Sequence, residues 1–125
     1  MIVSIGIDIV EVYRISETIQ RTPRFAERVF TEKERAYCEN KGAAAAQSYA
    51  ARFAAKEAFL KALGTGWRGK ITWQDMEILN NEHGVPALAI AGEARKLLDA
   101  LGATRIHLSM SHTTDHAVAQ VVLES

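Results

Sequence analysis

The chain has 125 residues, the size of one domain, and 48% of them are hydrophobic, enough for a core of its own. Its 15 Lys and Arg cancel its 15 Asp and Glu, which argues against bulk binding to nucleic acid or to an anionic membrane. A single cysteine, Cys38, excludes an intrachain disulfide and fits a reducing cytosol. No apolar run is long enough to span a bilayer, and "MIVSIGIDIVEVYR" has no basic start and carries Asp8 early, unlike a signal peptide.

The β-branched, apolar stretch "IVSIGIDIV" has no helical period, so residues 2–9 read as a buried strand with Asp8 near its C-terminal end. Residues 12–21, "VYRISETIQR", read as a short helix stopped before Pro23. Thr31, with Glu34 three residues on, is a capping-box start for a helix through about Asn40. Residues 43–63 form a long Ala-rich helix, ended by Gly64 and Gly66. "ITWQDMEILNNEHGVPALAI" reads as two strands, roughly 75–80 and 86–90, and "GEARKLLDALGA" as a helix ended by Gly102. "RIHLSMSH" and "HAVAQVVLE" read as an antiparallel pair across the "TTD" turn. Strand, helices, hairpin, helix, hairpin is the order of an α+β fold. It implies a largely antiparallel sheet with helices packed on it, in a single domain over 1–125.

"RFAAKEAFLKALGTG" sets four charges in an otherwise apolar helix. At about 100° per residue they form two narrow stripes, Glu57 with Lys61 and Arg52 with Lys56. The first has an ordinary reading, an i,i+4 surface pair worth about 0.2–0.5 kcal/mol. The second joins like charges one turn apart. It reads either as two snorkelling side chains or as a pair sharing an anion. "GTGWRGK" follows, whose glycines can turn backbone N–H groups onto an anion, so the region suggests phosphate. Asp8 either caps the next helix or meets Glu57. Two such carboxylates call for a cation between them, and hard oxygen ligands beside phosphate suggest Mg²⁺.

His107, His112 and His116 do not make a zinc set, because Cys38 is distant and His112 and His116 straddle a turn. His107, Ser109 and Ser111 share one face of their strand, and no nucleophile elbow supports a Ser–His hydrolase. Trp67 and Trp73 read as packing residues.

"GIDIVEVYRI", "RFAERVFTEKE", "RFAAKEAFLKALGTG" and "SMSHTTDHAVAQVVLE", in this order, resemble the holo-acyl-carrier-protein synthases, the small type of 4′-phosphopantetheinyl transferase. The likeness covers nearly the whole chain and implies the fold of that family. It implies transfer of the phosphopantetheine arm of coenzyme A to a serine of apo-acyl carrier protein, for fatty acid biosynthesis. It also implies Mg²⁺, a cytoplasmic homotrimer and sites at subunit interfaces. By the resemblance, Asp8 and Glu57 are the metal ligands, and Lys61 lies by the coenzyme A phosphates. Arg52, Gly64, Thr65 and Gly66 line the same site, Gly84 and Pro86 lie by the adenine, and His107, Ser111 and His112 close the pocket from a neighbouring subunit. Two segments depart from relatives: Tyr49-Ala50-Ala51 stands where Leu-Ala-Gly is frequent, and "KGAAAAQ" lacks the basic residues some relatives carry there for the 3′-phosphate. That throws the 3′-phosphate contact onto Arg52 and Lys56.

Phosphoryl transfer asks mainly for positioning and charge neutralisation. Glu57, through a water on the metal, is the first choice of base and Glu34 the second, with Lys61 neutralising the leaving side. Carrier proteins are typically acidic, and Arg14, Arg21, Arg24 and Arg28 would share about 80° of arc on one continuous helix, although Pro23 interrupts it. They are the docking candidates. The alternative is a non-catalytic trimeric module that binds coenzyme A or a nucleotide. It would keep Arg52, Lys56 and Lys61 but would not need both Asp8 and Glu57.

Overall fold

The computed structural model describes residues 1–64 and 70–125. Strand β1 (Ile2–Glu11) runs straight into helix α1 (Val12–Arg21), and Pro23 opens a separate short helix, α2 (Pro23–Val29). Proline suits a first helical position, where its missing N–H has no partner to lose. Helix α3 (Glu32–Glu39) begins at the expected capping box, with Glu34 N on Thr31 Oγ1 and Thr31 N on Glu34 Oε1. A turn of 3-10 helix leads into α4 (Ala45–Leu63). Then come β2 (Met76–Asn80), β3 (Pro86–Ile90), α5 (Gly92–Ala100), β4 (Arg105–His112) and β5 (His116–Glu124).

The α+β class holds, and every strand pair among the described residues is antiparallel. The strands form two sheets: one ordered β1-β5-β4, the other the β2-β3 hairpin. Helix α4 lies between them, and 13 of its 19 residues are buried, so it has no broad wet face. Its alanines make this possible by letting other elements approach closely. The closest is β1: a Cβ on Gly6 would stand 2.1 Å from the Ala58 carbonyl oxygen and 2.7 Å from Ala62 N. No other residue fits there.

The strand expected to be buried is buried on one side only. Gly6 faces α4, while Ile5, Ile7 and Ile9 point outward and are 59–65% exposed. On the inner side, Ala119, Val121 and Leu123 of β5 pack with Phe59, Leu60 and Leu63 of α4 and Met76 and Ile78 of β2. A second cluster gathers Val12, Ile15, Val29, Phe30, Cys38 and Tyr49, with the Phe30 and Tyr49 rings 4.9 Å apart. Each fully buried large side chain here contributes about 1.5–3 kcal/mol. Trp73 packs as expected, 5.2 Å from the Phe53 ring. The four candidate arginines do not share one helix, because Arg14 and Arg21 belong to α1 whereas Arg24 and Arg28 belong to α2.

Candidate active site

The contact of Gly6 with Ala58 and Ala62 places Asp8, two residues on and on the same face of β1, beside the same turns of α4. Asp8 does not cap α1, whose N-cap is Glu11 without a side-chain bond. It meets Lys61 instead: Nζ donates to Asp8 Oδ1 at 2.9 Å and to the Ile7 carbonyl at 3.0 Å. Glu57, one turn before Lys61, is half-buried. Its carboxyl is pushed above the usual range by burial first and by the Asp8 charge second, with Lys61 pulling the other way. Two acids remote in sequence therefore act on one another, and the Lys61 ammonium is bonded to the first of them.

That neighbourhood fits a hard divalent cation. Its donors are carboxylate oxygens, and among the described residues no cluster of three or more His, Cys, Asp or Glu surrounds them. Mg²⁺ is characteristically held by one or two carboxylates and takes its remaining ligands from phosphate and water.

A second feature is a cleft of about 300 Å³ that opens where α3, α4, the β2-β3 hairpin and the end of β4 converge. It gathers Arg52, Gly84, Pro86, Ser111 and His112, five residues proposed from sequence for one ligand. Tyr37, Lys41, Ser48 and Asn80 also line it and were not singled out from sequence. Ser48 lies one turn before Arg52 and Lys41 one turn after Tyr37, so helical spacing alone could have suggested them. The Arg52 side chain is only 2% exposed. Its Nη1 donates to Ser48 Oγ at 3.2 Å, its Nη2 donates to Asn80 Oδ1, and its guanidinium lies 4.1 Å from the Tyr37 ring centroid. Each of these partners is neutral, and Nε has no partner among the described residues.

Lys56 departs from the sequence reading. It neither snorkels nor shares an anion with Arg52, but is fully enclosed. Its Nζ donates to Glu34 Oε1 at 2.7 Å, to the Val29 carbonyl at 2.6 Å and to the Trp73 carbonyl at 3.3 Å. Burial lowers its pKa, and Glu34 works against that shift. Glu34 is equally enclosed, and its second oxygen accepts from Ile78 N at 2.9 Å. This pair fastens α3, α4 and β2 together and leaves Glu34 no face to offer a substrate. His107 lies outside the cleft, its Nε2 2.9 Å from Glu124 Oε1. Gly64 ends α4 in the left-handed conformation, at φ 76°. Thr65, Gly66, Trp67 and Arg68 lie outside the described residues.

Arg52 and Glu57 are about 7.5 Å apart along the helix axis and about 140° apart around it. The two side chains therefore leave α4 from different faces.

The chain is 50% identical over 125 residues to a holo-[acyl-carrier-protein] synthase of Koribacter versatilis, covering 99% of both chains. The fold matches the crystal structure of a holo-(acyl-carrier-protein) synthase from Bacillus anthracis in complex with CoA (3′,5′-ADP). The TM-score is 0.82 at 43% identity, covering 100% of this chain and 98% of that one. It also matches the Helicobacter pylori holo-[acyl-carrier-protein] synthase in complex with coenzyme A, with a TM-score of 0.83 at 30% identity, over 96% and 99% of the two chains. A family model described as the 4′-phosphopantetheinyl transferase superfamily matches residues 4–121, a span that takes in the acid pair, Lys61 and the whole cleft. By sequence and by fold alike, the chain belongs to that superfamily.

Proposed function

We propose that this chain is a holo-acyl-carrier-protein synthase, one domain over 1–125. It moves the 4′-phosphopantetheine of coenzyme A onto a serine of an apo-acyl carrier protein, for fatty acid biosynthesis in the cytoplasm. The observation that supports the reading is that Asp8, bonded to Lys61, lies near enough to Glu57 for its charge to raise that carboxyl, in a chain whose relatives bear that name.

Asp8 and Glu57 would hold Mg²⁺, which when bound draws charge from the pyrophosphate oxygens. The serine Oγ forms a bond to the β-phosphorus as the bond to the nucleotide phosphate breaks, releasing adenosine 3′,5′-bisphosphate. Glu57 is the group assigned to take the hydroxyl proton, because Glu34 is enclosed and already bonded to Lys56, Thr31 N and Ile78 N. Lys61 and Gly64, at the end of α4, are assigned to the charge that gathers on the leaving side; Thr65 and Gly66, given the same role by the resemblance, lie outside the described residues. Arg52 takes a phosphate of the nucleotide, with Ser111 and His112 beside it and Gly84 and Pro86 towards the adenine. Lys41, in the same cleft and over the Tyr37 ring, takes the place assigned from sequence to Lys56.

The homotrimer is carried over from the family, and two features support an assembly of subunits. Arg52 and Glu57 leave α4 from different faces, so a ligand that reaches both is best held between subunits, where the resemblance also puts His107. The outward stripe of Ile5, Ile7 and Ile9 supplies an apolar surface to bury there. Arg14, Arg21, Arg24 and Arg28 are all exposed and suit an acidic carrier protein. Arg14 also lines a hollow with Ile9, Ile15 and Phe53.

The test is incubation with coenzyme A, Mg²⁺ and apo-carrier protein, followed by intact mass. A carrier that gains the phosphopantetheine mass supports the reading. Binding of coenzyme A without any gain supports the non-catalytic module instead.

A further inference from the structure

Arg52 is an almost fully enclosed cation whose partners are all neutral, and one of them does more than accept a hydrogen bond. Asn80 takes Arg52 Nη2 on its Oδ1 and donates from Nδ2 to the Gly84 carbonyl at 3.0 Å. One amide thus ties a guanidinium of α4 to the turn of the β2-β3 hairpin, and both walls belong to the same cleft. An enclosed charge is costly unless paired. A carboxylate at position 80 would pair with it at almost no change of shape, yet the residue there is the neutral isostere. The cost of the bare charge is then met by whatever anion enters.

We propose that Asn80 is a positioning residue that fixes Arg52 in the cleft while leaving its charge uncompensated, and so makes the cleft selective for a phosphate-bearing nucleotide. This rests on the reading that the cleft takes the nucleotide end of coenzyme A.

The test is calorimetric titration of the full chain with adenosine 3′,5′-bisphosphate at several salt concentrations, alongside thermal melts. In Asn80→Asp the introduced carboxylate pairs with Arg52. Its melting temperature stays within a few degrees of the parent, because the ion pair offsets the lost donor to Gly84. Its affinity falls at least about tenfold, and the dependence of log Kd on log salt flattens. Asn80→Ala removes the tie but adds no charge: it melts lower, binds only a few-fold more weakly and keeps the parental salt dependence. A merely structural Asn80 would make stability and affinity fall together in both variants. Parental affinity in Asn80→Asp, or equal weakening in the two variants, overturns this inference alone. Absence of binding by the unsubstituted protein overturns the reading of the cleft as well.

Discussion

Lys61 and Asp8, 53 residues apart in the chain, meet with Nζ 2.9 Å from Oδ1, and Glu57, one helical turn before Lys61, has no ion-pair partner of its own among the described residues. The nearer acid in sequence is thus left free of the lysine, and the distant one takes it. The sheet decides this, because β1 is pressed onto α4 at Gly6 and carries Asp8 in with it.

Gly6→Ala tests that dependence. The added Cβ would meet helix backbone at Ala58 and Ala62, which cannot swing aside as a side chain would. A loss of about 1–3 kcal/mol or more in urea denaturation is expected, together with loss of transfer as Asp8 is pushed from α4. Parental stability and activity would show that the contact is dispensable.

Lys56 and Glu34 form an ion pair with neither side chain exposed. Lys56→Met leaves the Glu34 carboxylate enclosed without its cation and is expected to cost about 3–5 kcal/mol in denaturation. Lys56→Met combined with Glu34→Gln should be less destabilised than the single variant, because no lone charge remains. A double variant worse than the single would show that the pair itself, rather than its balance, supports the fold.

Glu124 gives a pH dependence with a definite sign. The hydrogen bond from His107 foremost, with Arg105 assisting, holds its carboxyl below the ordinary value of 4.5. The folded state therefore gains from an ionised Glu124. That gain is present above about pH 4.5 and disappears as pH falls through the lowered value. The melting difference between the parent and Glu124→Gln should be seen at neutral pH and fade in acid. An offset independent of pH would contradict the assignment.

The Ile5, Ile7 and Ile9 stripe yields a prediction about assembly. On the proposed trimeric assembly, Ile7→Lys should give monomers in light scattering and abolish transfer. A mixture of Glu57→Gln and Arg52→Gln subunits, each inactive alone, should regain activity if one site draws on two subunits. A monomeric parent with full activity would refute both.

Much of this arrangement is legible in the residues themselves. The Thr31–Glu34 capping box, the glycine stop at Gly64 and the alternation of "RIHLSMSH" are local signals, and each appears where expected. The acid pair is legible because a carboxylate in an apolar strand needs a reason. Other features depend on packing between distant segments. Periodicity cannot say which side of an Ala-rich helix is covered, so Lys56 reads as a phosphate ligand until Glu34 is seen to claim it. It cannot say that one face of β1 stays open, nor that Pro23 begins a helix as well as ending one. The cleft draws Tyr37, Ser48 and Asn80 from three elements, a convergence that no stretch of sequence contains.

The most direct test of the central claim is the rate of phosphopantetheine transfer against Mg²⁺ concentration for the parent, Asp8→Asn and Glu57→Gln. Each substitution should lower the rate by at least about a hundredfold, raise the Mg²⁺ needed for half-maximal rate and leave the melting temperature nearly unchanged. Full activity of either variant at limiting Mg²⁺ would show that these two carboxylates do not hold the ion.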